Sequence, residues 1–193
     1  MPLTTLDPVT ALIVIDLQQG ILDGDFLHPL APILERTRAL IDTFHGKHLP
    51  VVLVNVAGRA PGRTEEGPRS TTTFAEGWTN LLPELDQQPG DILVTKRSWG
   101  AFATTDLEDQ LTARSVTQVV VTGVATSGGV EATARQAYEQ GLNVTLALDA
   151  MTDTREEAHA YSIRSVFPRL GETGSAQEII SLLATQPETR SLA

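Results

Sequence analysis

Residues 122–141 read TGVATSGGVEATARQAYEQG. The front of this stretch closes a buried strand, and Val130, Ala134 and Ala137 then recur at helical spacing until Gly141 stops the helix. A strand that runs directly into a helix is the unit of a parallel sheet, because strands can pair in the same direction only through a crossover. The junction, Thr126, Ser127, Gly128 and Gly129, lies where helix amides point outward and where hydrolases commonly seat a nucleophile. That seat holds Gly129, and the chain has no cysteine at all.

The same alternation extends in both directions. Upstream, TALIVI at 10–15 is an apolar, branched run ending at Asp16, as a core strand of a parallel sheet ends. Leu30, Leu34, Thr37, Ile41 and Phe44 then recur at helical spacing, Pro50 introduces the strand VVLVNVA, and Pro89-Gly90 turns the chain into DILVTK, which ends at Lys96. A short helix is expected near Asn80–Leu85. GRAPGRTEEGPRSTTT, at 58–73, reads as a surface loop long enough to wall a site. TQVVVT is the fourth strand and LNVTLALDA the fifth, with a weak sixth near 167–172. Helix starts are expected at Thr105 with Glu108, Thr154 with Glu157 and Ser175 with Glu178, three capping-box pairs. The pattern predicts an α/β fold with three layers, helices covering both faces of a mainly parallel sheet.

Composition narrows the partners. A chain of 193 residues, 41% apolar, suits one domain with one substantial core; residues 184–193 read as a C-terminal tail. Twenty-four acidic against fourteen basic residues give a net charge of −10, which opposes nucleic acid as a partner. VVLVNVA and QVVVTGVA are too short for a membrane span, and the N-terminus MPLTTLDPVT lacks an export signal's basic start and apolar stretch. The expected setting is the cytoplasm.

Ligands of such sheets bind beyond the carboxyl ends of the strands. Asp16, Asn55, Arg59, Lys96 and Thr126 to Gly129 all follow strand ends and belong to one rim. Asp16 reads equally as a catalytic acid or as the cap of a turn, and Lys96 as a site group or as a surface lysine whose stem packs on Trp99. Trp99, Phe102, Phe26 and Trp78 are aromatic candidates for the wall; Phe102 also suits the core, and Trp78 an oligomer interface. Arg59 and Arg63 could reach a carboxylate, Arg63 more simply being a solvated loop charge. Ser127 reads as a helix cap. His28, His45, His48 and His159 are scattered over separate segments, so no metal site is expected, and ATSGGVEA lacks the spacing of a dinucleotide loop.

Three ordered segments, ALIVIDLQQG, TKRSWGAFATTDLEDQL and VVVTGVATSGGVEATARQAYEQGLNVTLALDAMTD, resemble the isochorismatase-like hydrolases, the cysteine hydrolase superfamily. The resemblance implies a six-stranded parallel sheet, a homo-oligomer, a small-molecule substrate and a site of aspartate, lysine and cysteine, with Asp16 and Lys96 in the first two roles and Gly129 in the third. It also implies a cis peptide at Val124-Ala125 or Ala125-Thr126 that supplies an oxyanion pocket. Covalent amide cleavage by a thiolate is thereby disfavoured.

The resemblance offers a route without a thiol. Isochorismatases hydrolyse a vinyl ether, and their site similarly has glycine where the amidases have cysteine. Asp16 would deliver the proton, Lys96 would hold a substrate carboxylate or Asp16 itself, and Gln18 would offer its amide to the acid or to water. No cofactor is implied, and the metal-binding residues that some relatives carry after strand two are replaced by Asn55-Val56-Ala57-Gly58-Arg59. A catalytically silent relative that binds a metabolite or a protein partner is the competing expectation.

Overall fold

The computed structural model describes residues 3–65 and 74–186. The strands are β1 Thr10–Ile15, β2 Val51–Val56, β3 Ile92–Lys96, β4 Gln118–Val124, β5 Asn143–Thr152 and β6 Glu172–Gly174. They form one six-stranded sheet in the order β3-β2-β1-β4-β5-β6, parallel throughout. The chain steps outward from β1 to β3 and then returns to place β4 on the other side of β1. At such a reversal successive connections leave in opposite directions, and a crevice opens beyond the strand ends.

The helices are α1 Gln19–Leu22, α2 Leu30–Gly46, α3 Leu107–Ala113, α4 Glu131–Glu139, α5 Glu156–Tyr161, α6 Phe167–Leu170 and α7 Ala176–Thr185. Strand parity sorts them into layers. Leu12 and Val14 of β1 join the core cluster of Leu40, Ile41 and Phe44 from α2 and Ile179 and Leu183 from α7. Ala11, Ile13 and Ile15 join Leu107 and Leu111 from α3, Val130 and Ala134 at the start of α4, and Phe167 from α6. A three-layer α/β/α sandwich results.

Crowding at the centre explains one residue. Gly123 in β4 has φ +112°, and a β-carbon there would overlap the carbonyl oxygen of Ile15. Only glycine lets β4 lie so close to the end of β1.

β4 and β5 fall out of step near their ends. Val121 pairs with Leu146, but Gly123 pairs with Met151, so β5 spends five positions where β4 spends two. The excess forms a bulge, inside which the Thr122 hydroxyl donates to the Ala150 carbonyl.

Several expectations are corrected. The segment near Asn80–Leu85 forms only a single 3₁₀ turn, Pro83–Leu85, while Leu81 bridges to Gln18. The last strand is Glu172–Gly174, and Phe167–Leu170 is helical instead. Helix α7 continues through Thr185, past the expected start of the tail at 184; residues 187–193 lie outside the described residues, as does much of the loop 58–73. Of the three capping boxes only Ser175 with Glu178 forms. Asp106 and Arg155 precede α3 and α5 without side-chain caps of their own; the Thr105 hydroxyl donates backward to Ala101 and accepts only the Leu107 amide, at 3.3 Å, while a neighbouring carboxylate takes the amides of Thr154 and Arg155. Among the described residues, no helix is long and apolar enough to cross a membrane.

Candidate active site

The site begins with alternation on an edge strand. In β3, Ile92, Val94 and Lys96 are buried while Leu93 and Thr95 are exposed, so Lys96 lies on the strand face that packs under α3 and α4. Its side chain is only 2% exposed. Asp16 follows β1 in a left-handed conformation, φ 53°, which aspartate tolerates better than most side chains. The two groups meet with Lys96 Nζ 2.7 Å from Asp16 Oδ2.

Lys96 Nζ also donates to the Trp99 carbonyl at 2.8 Å and the Ser98 carbonyl at 3.3 Å. An ammonium has three protons, and these three acceptors account for them. The surface-lysine alternative is therefore incorrect: the stem is buried, and the contact with Trp99 is to its backbone.

Asp16 is less well served. Among the described residues its Oδ1 is buried and has no hydrogen-bond partner. Burial pushes the carboxyl up from 3.8 to about 6, against the downward pull of the Lys96 charge and its hydrogen bond. Desolvation thus outweighs the ion pair, and the group titrates within reach of neutral pH.

The third side of the site is bare backbone. The Val124-Ala125 peptide is cis, and the chain then enters a wide π-type turn, Thr126–Val130, in which Gly128 departs from helical geometry at φ −111°, ψ −106°. Glycine 129 faces the ion pair across this turn. A β-carbon built on Gly129 would stand 3.1 Å from Asp16 Oδ2, 3.3 Å from Lys96 Nζ and 2.8 Å from Ile15 Cγ2. Any side chain at this position would project into the ion pair, and Ile15 would have to yield to admit it.

The remaining predicted residues divide. Gln18 is fully buried; its amide nitrogen donates to the carbonyls of Val56 and Trp78, and its oxygen accepts from the Val56 amide. It fastens the ends of β1 and β2 to the segment carrying Trp78. Asn55 donates to the Thr79 carbonyl, while its Oδ1 is buried without a partner among the described residues. Phe102 is buried in the core, Phe26 packs against the α2 and α7 side, and Arg59 and Trp99 are exposed, the indole at 67%. Ser127 is not the helix cap: Ala125 precedes the turn and makes no side-chain cap bond. Trp78 packs against Gly20, where a β-carbon would overlap the indole, stacks on Phe74 at 4.1 Å and helps line a cavity of about 500 Å³ with Leu22, Leu30, Leu34 and Leu82.

Sequence reasoning passed over a second constellation around the same turn. Asp153, just beyond β5, is 2% exposed; its Oδ2 accepts from the Ser127 amide at 2.6 Å, and its Oδ1 from the amides of Thr154 and Arg155 at 2.8 and 3.2 Å. His159 Nδ1 pairs with the hydroxyl of buried Thr126 at 2.9 Å, His28 Nδ1 pairs with that of Thr152 at 2.9 Å, and the two imidazole centres are 5.1 Å apart. Burial, then the neighbouring His28, lower the His159 pKa, with Asp153 pulling the other way. An acid directly after a strand end was a usable signal for Asp153, but the bulge that brings it level with the turn has none.

Comparison with known proteins agrees with this architecture. The isochorismatase domain model matches residues 10–178. The chain is 36% identical over 177 residues to the uncharacterized isochorismatase family protein YwoC of Bacillus subtilis, covering 89% of this chain and 92% of that one. It is 37% identical over 180 residues to the uncharacterized isochorismatase family protein YecD of Escherichia coli O157:H7, covering 90% and 96%. The solved structure of an isochorismatase family protein from Burkholderia thailandensis superposes with a TM-score of 0.88 at 36% identity, covering 94% of this chain and 98% of that one.

Proposed function

The chain belongs to the isochorismatase family, and from that premise we propose that it is a hydrolase working without a thiol, with Asp16 as general acid toward a vinyl ether or related small carboxylic metabolite. The observation that carries this reading is the carboxyl itself: Asp16 is pushed up to about 6 and keeps Oδ1 unpaired. A general acid serves best when its pKa lies near the working pH. The proton passes from Oδ1 to the terminal vinyl carbon, the double-bond electrons form the new C–H bond, and the ether oxygen stabilises the oxocarbenium left behind. Water adds to that carbon and returns a proton to Asp16, and the resulting hemiketal breaks down to a carbonyl compound and an alcohol.

Lys96 stabilises the carboxylate formed when Asp16 gives up its proton. Its own three protons are spent on Asp16, Ser98 and Trp99, so a substrate carboxylate must find its counter-charge elsewhere, and exposed Arg59 is our choice. Gly129 keeps the face opposite the acid free of bulk. A cytoplasmic homo-oligomer belongs to the same reading.

A second reading, a family member that binds a metabolite without turnover, is favoured by one observation: the cavity of about 500 Å³ beside Trp78 is lined by neither Asp16 nor Lys96. The test is an assay of isochorismate, a panel of vinyl ethers and a panel of small amides with the native protein, Asp16→Asn and Lys96→Ala. Turnover of a vinyl ether that disappears in Asp16→Asn supports the first reading. Ligand affinity that survives in both variants, with no turnover in any protein, supports the second.

A further inference from the structure

We infer that Asp153 is a positioning residue for the Asp16 site, acting through the turn Thr126–Val130; the inference rests on the reading of Asp16 as the acid. The turn has no cap of its own, since Ala125 precedes it and offers no side-chain oxygen. The missing acceptor comes from the adjacent strand. Asp153 Oδ2 takes the Ser127 amide at 2.6 Å while Oδ1 holds the amides of Thr154 and Arg155, so one buried carboxylate joins the start of the turn before α4 to the start of α5. The Asp153 carbonyl also accepts from the Leu27 amide at 2.8 Å, fixing the loop that carries Phe26 and His28.

The geometry makes this grip consequential. Ser127 is two residues before Gly129, whose missing β-carbon would lie 3.1 Å from Asp16 Oδ2 and 3.3 Å from Lys96 Nζ. Gly128, between them, lies outside helical geometry, so the turn lacks the regular backbone that would otherwise hold its shape. Among the described residues, the Thr126 side chain is held only by His159, whose ring lies 5.1 Å from that of His28. Asp153 is thus the one carboxyl group that bonds the turn's backbone, among the described residues. If the turn slackens, water gains access to Asp16, and the burial that raises its pKa is relieved. Asp153 therefore sets the acid strength of a carboxyl that it does not touch.

The experiment follows Asp16 by carbon NMR in the full chain, together with amide exchange at Ser127. In Asp153→Asn the Ser127 amide is expected to exchange at least about tenfold faster. The Asp16 midpoint is expected to fall by at least about half a pH unit. An unchanged Asp16 midpoint with a deprotected Ser127 amide would reduce Asp153 to scaffolding and overturn the inference, as would unchanged Ser127 protection. Should Asp153→Asn not fold, the native protein provides the second measurement: the Ser127 amide must show through-hydrogen-bond coupling to the Asp153 side-chain carboxyl carbon, and its absence also overturns the inference. None of these readouts needs turnover. A protein that passes them yet hydrolyses nothing refutes the proposed activity and leaves the positioning role standing.

Discussion

Asp16 Oδ2 and Lys96 Nζ stand 2.7 Å apart where water is almost shut out, while the other oxygen of the same carboxylate meets no donor among the described residues. Burial of the acid prevails over attraction to the ammonium, and the first prediction follows from that imbalance. The folded carboxyl loses its proton near pH 6 and the unfolded one near 4. Between those values the folded protein binds more protons, so this group's contribution to stability falls as the pH rises, by on the order of 3 kcal/mol in total, and is flat above about 6. Carbon NMR of the Asp16 carboxyl should give the midpoint directly; a value near 4 sinks the assignment.

Lys96→Met removes the influence that lowers the Asp16 pKa and leaves desolvation unopposed. The midpoint should rise above 6. The variant should lose about 3–5 kcal/mol at pH 8, where the carboxylate is buried unpaired, and less at pH 5, where it can be neutral. Denaturant unfolding at the two pH values checks the difference, and equal losses would contradict it.

His159 imposes the opposite trend. Its folded pKa lies below the ordinary 6.5 because burial and His28 disfavour the charged ring. As the pH falls below about 6.5 the unfolded chain accepts a proton that folded His159 resists, so its contribution to stability drops on acidification. His159→Gln should make the stability curve flatter on its acid side, read from melting temperatures between pH 5 and 7.5.

Gly129→Ala puts a methyl group 2.8 Å from Ile15 Cγ2 and beside the ion pair. Overpacking of this kind costs about 1–3 kcal/mol. The cost should shrink in an Ile15→Ala background, and a double-mutant cycle measures that coupling. Additive costs would mean that Ile15 is not the obstacle.

Two threonine or serine helix starts that look alike in sequence should behave differently. Ser175→Ala removes a formed capping box and should cost about 0.5–2 kcal/mol. Thr154→Ala should be nearly neutral, because the amides there are held by Asp153. Matched thermal melts decide the point.

This contrast shows what could be read from the chain and what could not. Strand runs such as TALIVI and the helical spacing of Val130, Ala134 and Ala137 are local, and burial on both sides of a parallel sheet leaves little choice of structure. Asp16 and Lys96 were visible for the same reason, as polar residues ending apolar strands. Asp153 carried the same local signal, but its role did not show, because its reach to Ser127 depends on three extra residues taken up in β5, a relation between strands that neither strand announces. The fate of Gln18 was hidden likewise: an amide beside a strand end suits a ligand until the carbonyls of Val56 and Trp78 arrive from elsewhere.

Trp99 gives its backbone carbonyl to a buried ammonium and leaves 67% of its surface in water. The chain has one other tryptophan, Trp78, which is stacked on Phe74. Fluorescence of the native protein therefore contains a solvent-exposed emitter fastened through its backbone to the Lys96 ammonium, and in Trp78→Phe that emitter stands alone. A blue shift on adding a compound would report an occupant beside Trp99 before any chemistry is known, making the protein its own optical screen for the molecule it receives.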